Sequence, residues 1–129
     1  RPTVAAAMAR LADLKPGQVV LDPMCGAGTL LAEAYLSTRG KKSIEGKDWQ
    51  LQFLGGDLDR SHAKFAQTNL RQFGITDLRT WDARDLPLDD VSVDRIVCNP
   101  PFGKQLATPE EIVPLYRQSV REMDRVLRP

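Results

Sequence analysis

Four polar residues stand directly after four short apolar runs: Asp22 after Gln18–Leu21, Asp57 after Gln52–Gly56, Asp82 after Leu78–Trp81, and Asn99 after Arg95–Cys98. If those runs are strands of an open α/β sheet, the polar residues gather at their carboxyl ends, where such sheets bind ligands. Three carboxylates there disfavour a phosphate. They favour hydroxyls, amines or a cation.

The first loop, Asp22-Pro23-Met24-Cys25-Gly26-Ala27-Gly28-Thr29, carries a Gly-x-Gly that lets a backbone approach a ligand closely. Position 31 is Leu, so the third glycine of the dinucleotide fingerprint is missing, and no Gly-Lys-Ser/Thr follows as in a P-loop. Asp22 would also repel a pyrophosphate, which disfavours an NAD-dependent dehydrogenase. The ammonium and sulfonium charges of S-adenosylmethionine suit the loop better. An ordinary strand-to-helix turn without ligand accounts for the same glycines. Asp57 can accept both hydroxyls of a ribose, the work an acidic residue does in adenosine-binding sheets. Asp59 is placed to cap the next helix. At Asp82-Ala83 the carboxylate can accept from an adenine amino group while the next backbone N–H reads a ring nitrogen; a loop-capping aspartate is the plain alternative.

Asn99-Pro100-Pro101-Phe102-Gly103 carries the sharpest signal. Two prolines after a buried strand stiffen the backbone. The Asn99 side-chain oxygen and the Pro100 carbonyl can then face an incoming amine, with Phe102 stacked on its ring. Two acceptors aim the nitrogen lone pair at a methyl group, and in-line transfer from a sulfonium is helped mainly by positioning. A plain proline-rich turn is the alternative reading.

These residues need a scaffold of alternating strands and helices. Val4, Ala7, Met8, Leu11 and Leu14 recur at helical spacing with Thr3 at the cap, and Pro16-Gly17 ends that segment. A second helix follows Gly28, with Leu31, Ala34 and Tyr35 on one face. A third runs Arg60–Phe73, with Ala63, Ala66, Leu70 and Phe73 inward and Gly74 as its stop. Thr108-Pro109-Glu110-Glu111 opens the last helix with a capping-box pattern. Ser37–Gln50 is a polar excursion, and the 34 residues between Asp22 and Asp57 are long for a crossover, which puts Lys41, Lys42 and Lys47 on an inserted loop. Strand and helix alternation means βαβ units: a Rossmann-like parallel sheet with helices on both faces.

The chain has 129 residues, 42% hydrophobic and 27% charged, the composition of one globular domain. Eighteen Lys and Arg against seventeen Asp and Glu leave a net charge of +1, so charge alone does not hold a nucleic acid. There is no membrane-length apolar run and no signal-peptide pattern. Cys25 and Cys98 are too few for a disulfide framework, which points to a reducing cytoplasm, and no metal-ligand spacing emerges.

The set Asp22–Thr29, Gly56-Asp57-Leu58-Asp59, Asp82-Ala83 and Asn99–Gly103 resembles class I S-adenosylmethionine-dependent methyltransferases. Arg1-Pro2-Thr3 and the alanine-rich helix after it resemble the segment before the cofactor loop in the THUMP-associated RNA guanine-N2 methyltransferases. The resemblance implies methyl transfer to the 2-amino group of guanosine in RNA, most of all tRNA. It assigns Asp22, Gly26 and Gly28 to the methionine part of the cofactor and counts Pro23 and Cys25 of the same loop among the cofactor-binding residues. Asp57 goes to the ribose, Asp82 and Ala83 to adenine, and Asn99, Pro100 and Phe102 to the target base. It also implies an RNA-binding domain before Arg1 and further strands after Pro129, so residues 1–129 are expected to be a partial catalytic domain truncated before its fifth strand. Adenine N6 or a protein glutamine amide would need the same two acceptors, and a non-catalytic RNA-binding or activator module could share the fold.

Other residues carry less. Arg117, Arg121, Arg125 and Arg128 form a stripe on the last helix, interrupted by Glu122 and Asp124, and read as a solvated face rather than an RNA-phosphate surface. Lys104 is the better phosphate contact. Both cysteines read as small apolar residues, His62 as a surface or capping residue, and Trp81 as facing a helix layer.

Overall fold

The computed structural model describes residues 2–100 and 108–129. Helix α1 spans Pro2–Leu11 and is rich in alanine, the strongest helix former. It closes where Asp13 takes a left-handed φ of 50°, a conformation aspartate tolerates better than most residues. The helix therefore stops short of Leu14, and Thr3 lies inside it. Its buried face also differs from the expected one. Ala5 and Ala9 are buried, whereas Val4, Ala7 and Leu11 point outward. Small side chains at i and i+4 let α1 lie close against α2, and that fit outweighs bulk in choosing the face.

Strands β1 (Val19–Asp22), β2 (Gln52–Asp57), β3 (Asp77–Thr80) and β4 (Arg95–Ile96) form a parallel sheet in the order β3-β2-β1-β4. Alternation along the strands feeds two cores. Val20 and Phe53 pack with Leu30, Leu31, Ala66 and Leu70, and Leu21 and Leu54 pack on the opposite face with Trp81, Val93 and Val126. The expected helices on both faces are present: α1, α2 (Thr29–Thr38) and α3 (Arg60–Leu70) on one side, α4 (Pro109–Val126) on the other. Trp81 does face a helix layer.

Helix α3 keeps the expected inward residues, tightens into a 3-10 turn over Arg71–Phe73 and ends at Gly74 with a φ of 73°. Asp59 caps it, accepting from the N–H groups of Ser61 and His62. At α4 the expected capping box does not form. The Thr108 carbonyl accepts from Glu111 and Ile112, but its side chain makes no capping hydrogen bond. Two members of the arginine stripe serve the fold: Arg125 binds Glu122, Asp90 and the Leu86 and Leu88 carbonyls, and Arg128 pairs with Asp94. Beyond α4, Leu127 bridges in parallel to Val93.

The excursion before β2 is a tight loop in which Lys42 bridges antiparallel to Asp48 and Lys41 lies over the Trp49 ring at 5.1 Å. The Gly17 N–H donates to the Gln50 carbonyl, which puts this loop at the amino ends of the strands, away from the polar strand ends. Among the described residues no helix is long and apolar enough to cross a membrane.

Candidate active site

Strand β1 has β2 on one side and β4 on the other, so the chain direction across the sheet reverses at β1 and a crevice opens beyond its carboxyl end. There Asp22, Met24, Cys25, Gly26, Thr29, Leu30 and Asn99 line an open cavity of about 190 Å³, with Ala5, Met8 and the exposed Val4 of α1 along its rim. The volume is below the roughly 300–1,000 Å³ of a pocket for a drug-sized ligand, so it has room for only part of a molecule of that size. Of the sequence-derived residues, Asp22, Cys25, Gly26 and Asn99 meet in this cavity. Asp57 joins through Gly26, Asp82 and Ala83 follow the adjoining β3, and Pro23 and Gly28 lie behind the loop.

The loop is tied to its neighbours on several sides. The Cys25 N–H donates to the Gly56 carbonyl at 2.9 Å and the Gly26 N–H to Asp57 Oδ2 at 2.9 Å. Asn69 Nδ2 of α3 donates to the Ala27 carbonyl at 3.0 Å, and Trp81 Nε1 to the Pro23 carbonyl at 3.0 Å. Gly26 and Gly28 have φ of 52° and 90°, values that L side chains rarely adopt. Their surroundings differ. A Cβ at Gly28 would meet the Leu70 side chain at 2.8 Å, whereas one at Gly26 would meet nothing within 4 Å. Gly28 serves packing, and Gly26 faces open space.

Asp22 is 2% exposed and accepts from the Met24 N–H at 3.1 Å, with no cationic side chain beside it among the described residues. Burial raises its carboxyl from 3.8 to about 7; the Met24 N–H opposes that rise and the Asp57 charge adds to it. Burial likewise pushes both thiols up to about 12. Neither is a thiolate at neutral pH, in keeping with their reading as small apolar residues.

Asp57 Oδ1 accepts from the Asp59 N–H at 2.9 Å, so its two oxygens each hold one backbone N–H and each keeps a lone pair directed elsewhere. His62 stands half-exposed with Nδ1 3.5 Å from Asp57 Oδ1. Asp82 is held by its neighbour: Arg84 Nε and Nη2 reach its carboxylate at 2.7–3.1 Å and the Arg84 N–H donates to Oδ1 at 2.9 Å. The Arg84 guanidinium keeps that carboxyl below the usual range, hence an acceptor only.

Asn99 is exposed at the end of β4 and Pro100 half-buried after it; Phe102 and Lys104 lie outside the described residues. The contacts of Trp81, Asn69 and Arg84 lie beyond the sequence reading. Arg84 alone had a readable signal, an opposite charge two residues from Asp82. The other two reach the loop across 58 and 42 positions of chain.

The residues suit S-adenosylmethionine on structural grounds. A buried carboxylate with no cation beside it among the described residues invites an ammonium group, Gly26 leaves open space at the cavity, and Asp57 has acceptor capacity beyond the two N–H groups it holds. Comparison with known proteins agrees. The chain is 40% identical over 132 residues to the U6 snRNA (guanine-N(2))-methyltransferase THUMPD2 of Bos taurus, matching 99% of this chain and 23% of that protein. It is 38% identical over 130 residues to a tRNA (guanine(6)-N2)-methyltransferase of Thermus thermophilus, covering 99% of this chain and 36% of the relative. Among solved structures it resembles TrmN from Thermus thermophilus, with a TM-score of 0.76 and 35% identity over 99% of this chain and 35% of that one. It also resembles a predicted N6-adenine-specific DNA methylase from Listeria monocytogenes, with a TM-score of 0.72 and 27% identity over 97% of this chain and 41% of that one. The chain thus spans about a quarter to two-fifths of the proteins it matches. A family model, the RMKL-like methyltransferase domain, matches residues 1–129. The chain therefore belongs to the RMKL-like methyltransferase domain family.

Proposed function

We propose that this chain is the cofactor-binding and methyl-transferring part of an RNA guanine-N2 methyltransferase acting on tRNA in the cytoplasm. The observation that carries the reading is the meeting of Asp22, Gly26 and Asn99 in one cavity at the switch point of the sheet, with Asp57 tied to the same loop. Asp22 and Gly26 hold the methionine part, with Pro23, Cys25 and Gly28 shaping the loop. Asp57 holds the ribose, and Asp82 and Ala83 the adenine. When bound, the cofactor supplies an electrophilic methyl group on a sulfonium. Asn99 and the Pro100 carbonyl accept from the amine and orient its lone pair, and Phe102 stacks on the base. The amine loses its proton after attack, so no strong base is required, and an amide could not be one. Positioning is the main contribution. The cytoplasmic reading rests on two unpaired thiols. The parallel bridge of Leu127 to Val93 and the coverage of the relatives support the reading of 1–129 as part of a larger catalytic unit.

Guanine is preferred because the relatives at 35–40% identity are named for guanine N2. Adenine N6 is the second reading, favoured by the Listeria likeness. Nucleoside mass spectrometry of RNA and DNA after reaction with S-adenosylmethionine decides between them. N2-methylguanosine, lost in Asn99→Ala while cofactor affinity stays within a few-fold, is the expected result. N6-methyladenine as the sole product would overturn the assignment.

A further inference from the structure

Trp81 joins three parts of the site that the strand-end residues leave separate. Its backbone N–H donates to the Asp57 carbonyl at 3.0 Å, at the ribose end. Its indole N–H donates to the buried Pro23 carbonyl at 3.0 Å, behind the methionine loop. It is itself followed by Asp82 and Ala83, at the adenine end. The ring passes directly over Gly56, where any Cβ would run into it, so the sequence gives up a side chain in the middle of the sheet to let the indole through. The Gly56 carbonyl in turn accepts from the Cys25 N–H at 2.9 Å. Gly56 and Trp81 thus grip the loop at Cys25 and Pro23, one on each side of Met24.

We propose that Trp81 is a positioning residue that couples the adenosine end of the cofactor site to its methionine loop, so that engagement of Asp82 and Ala83 is transmitted to Pro23 through one rigid indole. The proposal rests on the cofactor placement given above. It has two consequences. Losing the indole N–H while keeping an aromatic ring weakens cofactor binding without disabling transfer, because Trp81 touches no reacting atom. And the indole is a built-in reporter of occupancy: the chain has two tryptophans, and Trp49 lies at the opposite end of the sheet beside Lys41.

The test is fluorescence and calorimetry with S-adenosylhomocysteine. In Trp49→Phe the remaining emission comes from Trp81, and it should shift saturably with the dissociation constant that calorimetry gives for the unaltered protein. Trp81→Phe should bind S-adenosylhomocysteine several-fold more weakly, up to about tenfold: the bond to Pro23 is made without ligand, so its loss reaches binding through the freed loop and the worth of one hydrogen bond is the ceiling. It should raise KM for the methyl donor by a similar factor and leave kcat within about twofold, a split that general destabilisation would not give. If calorimetry shows binding while Trp81 emission stays unmoved at saturation, the coupling is wrong and the cofactor reading stands; that arm does not depend on how well Trp81→Phe folds. Wild-type affinity in a folded Trp81→Phe also overturns the coupling. Absence of any calorimetric binding overturns both.

Discussion

Replacing Asp22 by asparagine should make the protein more stable while costing it cofactor. Asp22 is 2% exposed, and burial carries its carboxyl from 3.8 to about 7 against the pull of the Met24 N–H. An acid raised in this way holds its proton more tightly folded than unfolded. The folded state is therefore favoured most below the unfolded value near pH 4, and stability is lost as pH rises from about 4 to about 7. Roughly three pH units at about 1.4 kcal/mol each give about 4 kcal/mol of cost above pH 7, and local relaxation brings the expected figure to about 2–4 kcal/mol. Asparagine has nearly the same shape, keeps an acceptor for the Met24 N–H and carries no charge. Urea denaturation of both proteins checks this: a gain of about 2–4 kcal/mol for Asp22→Asn at pH 8, shrinking to about 1 kcal/mol at pH 4.5. Affinity for S-adenosylhomocysteine should fall in the same variant, because the ammonium group loses its counter-charge. Equal gains at the two pH values, or a loss at pH 8, would refute the claim that a buried, unpaired charge is held ready for a cation.

Two further perturbations separate binding from folding. Asp57→Ala removes acceptors from the Gly26 and Asp59 N–H groups as well as from the ribose, so S-adenosylhomocysteine affinity should drop by about 1–3 kcal/mol; an unchanged dissociation constant would show the ribose is held elsewhere. Ser119, buried on α4, carries the one buried side-chain polar atom without a partner among the described residues, and Ser119→Ala should stabilise by about 0.5–1 kcal/mol in thermal unfolding. A marked loss would mean that the hydroxyl has a partner in the working enzyme.

The sheet and the polar strand ends were legible because both rest on local chemistry. Each apolar run is short, each is closed by a residue that prefers a loop, and parallel register brings the ends together without further information. The α3 cap at Asp59 and stop at Gly74 were legible for the same reason. The face of α1 was not. Hydrophobic spacing favours Val4 and Leu11, whereas close packing on α2 favours Ala5 and Ala9, and only the partner helix decides. The supports of the cofactor loop were also hidden, since the reach of Trp81 to Pro23 and of Asn69 to Ala27 is set by the fold rather than by spacing. At Asp82 the spacing marks the carboxylate at the strand end but not the grip that Arg84, two residues on, has on it.

The central claim is that these strand ends form a site for a sulfonium cofactor rather than a dinucleotide. Calorimetric titration with S-adenosylhomocysteine, with NAD as the control and circular dichroism to confirm folding, tests it most directly. Saturable binding of S-adenosylhomocysteine with no heat from NAD is the predicted result. A folded protein that binds NAD, or neither ligand, would contradict the account.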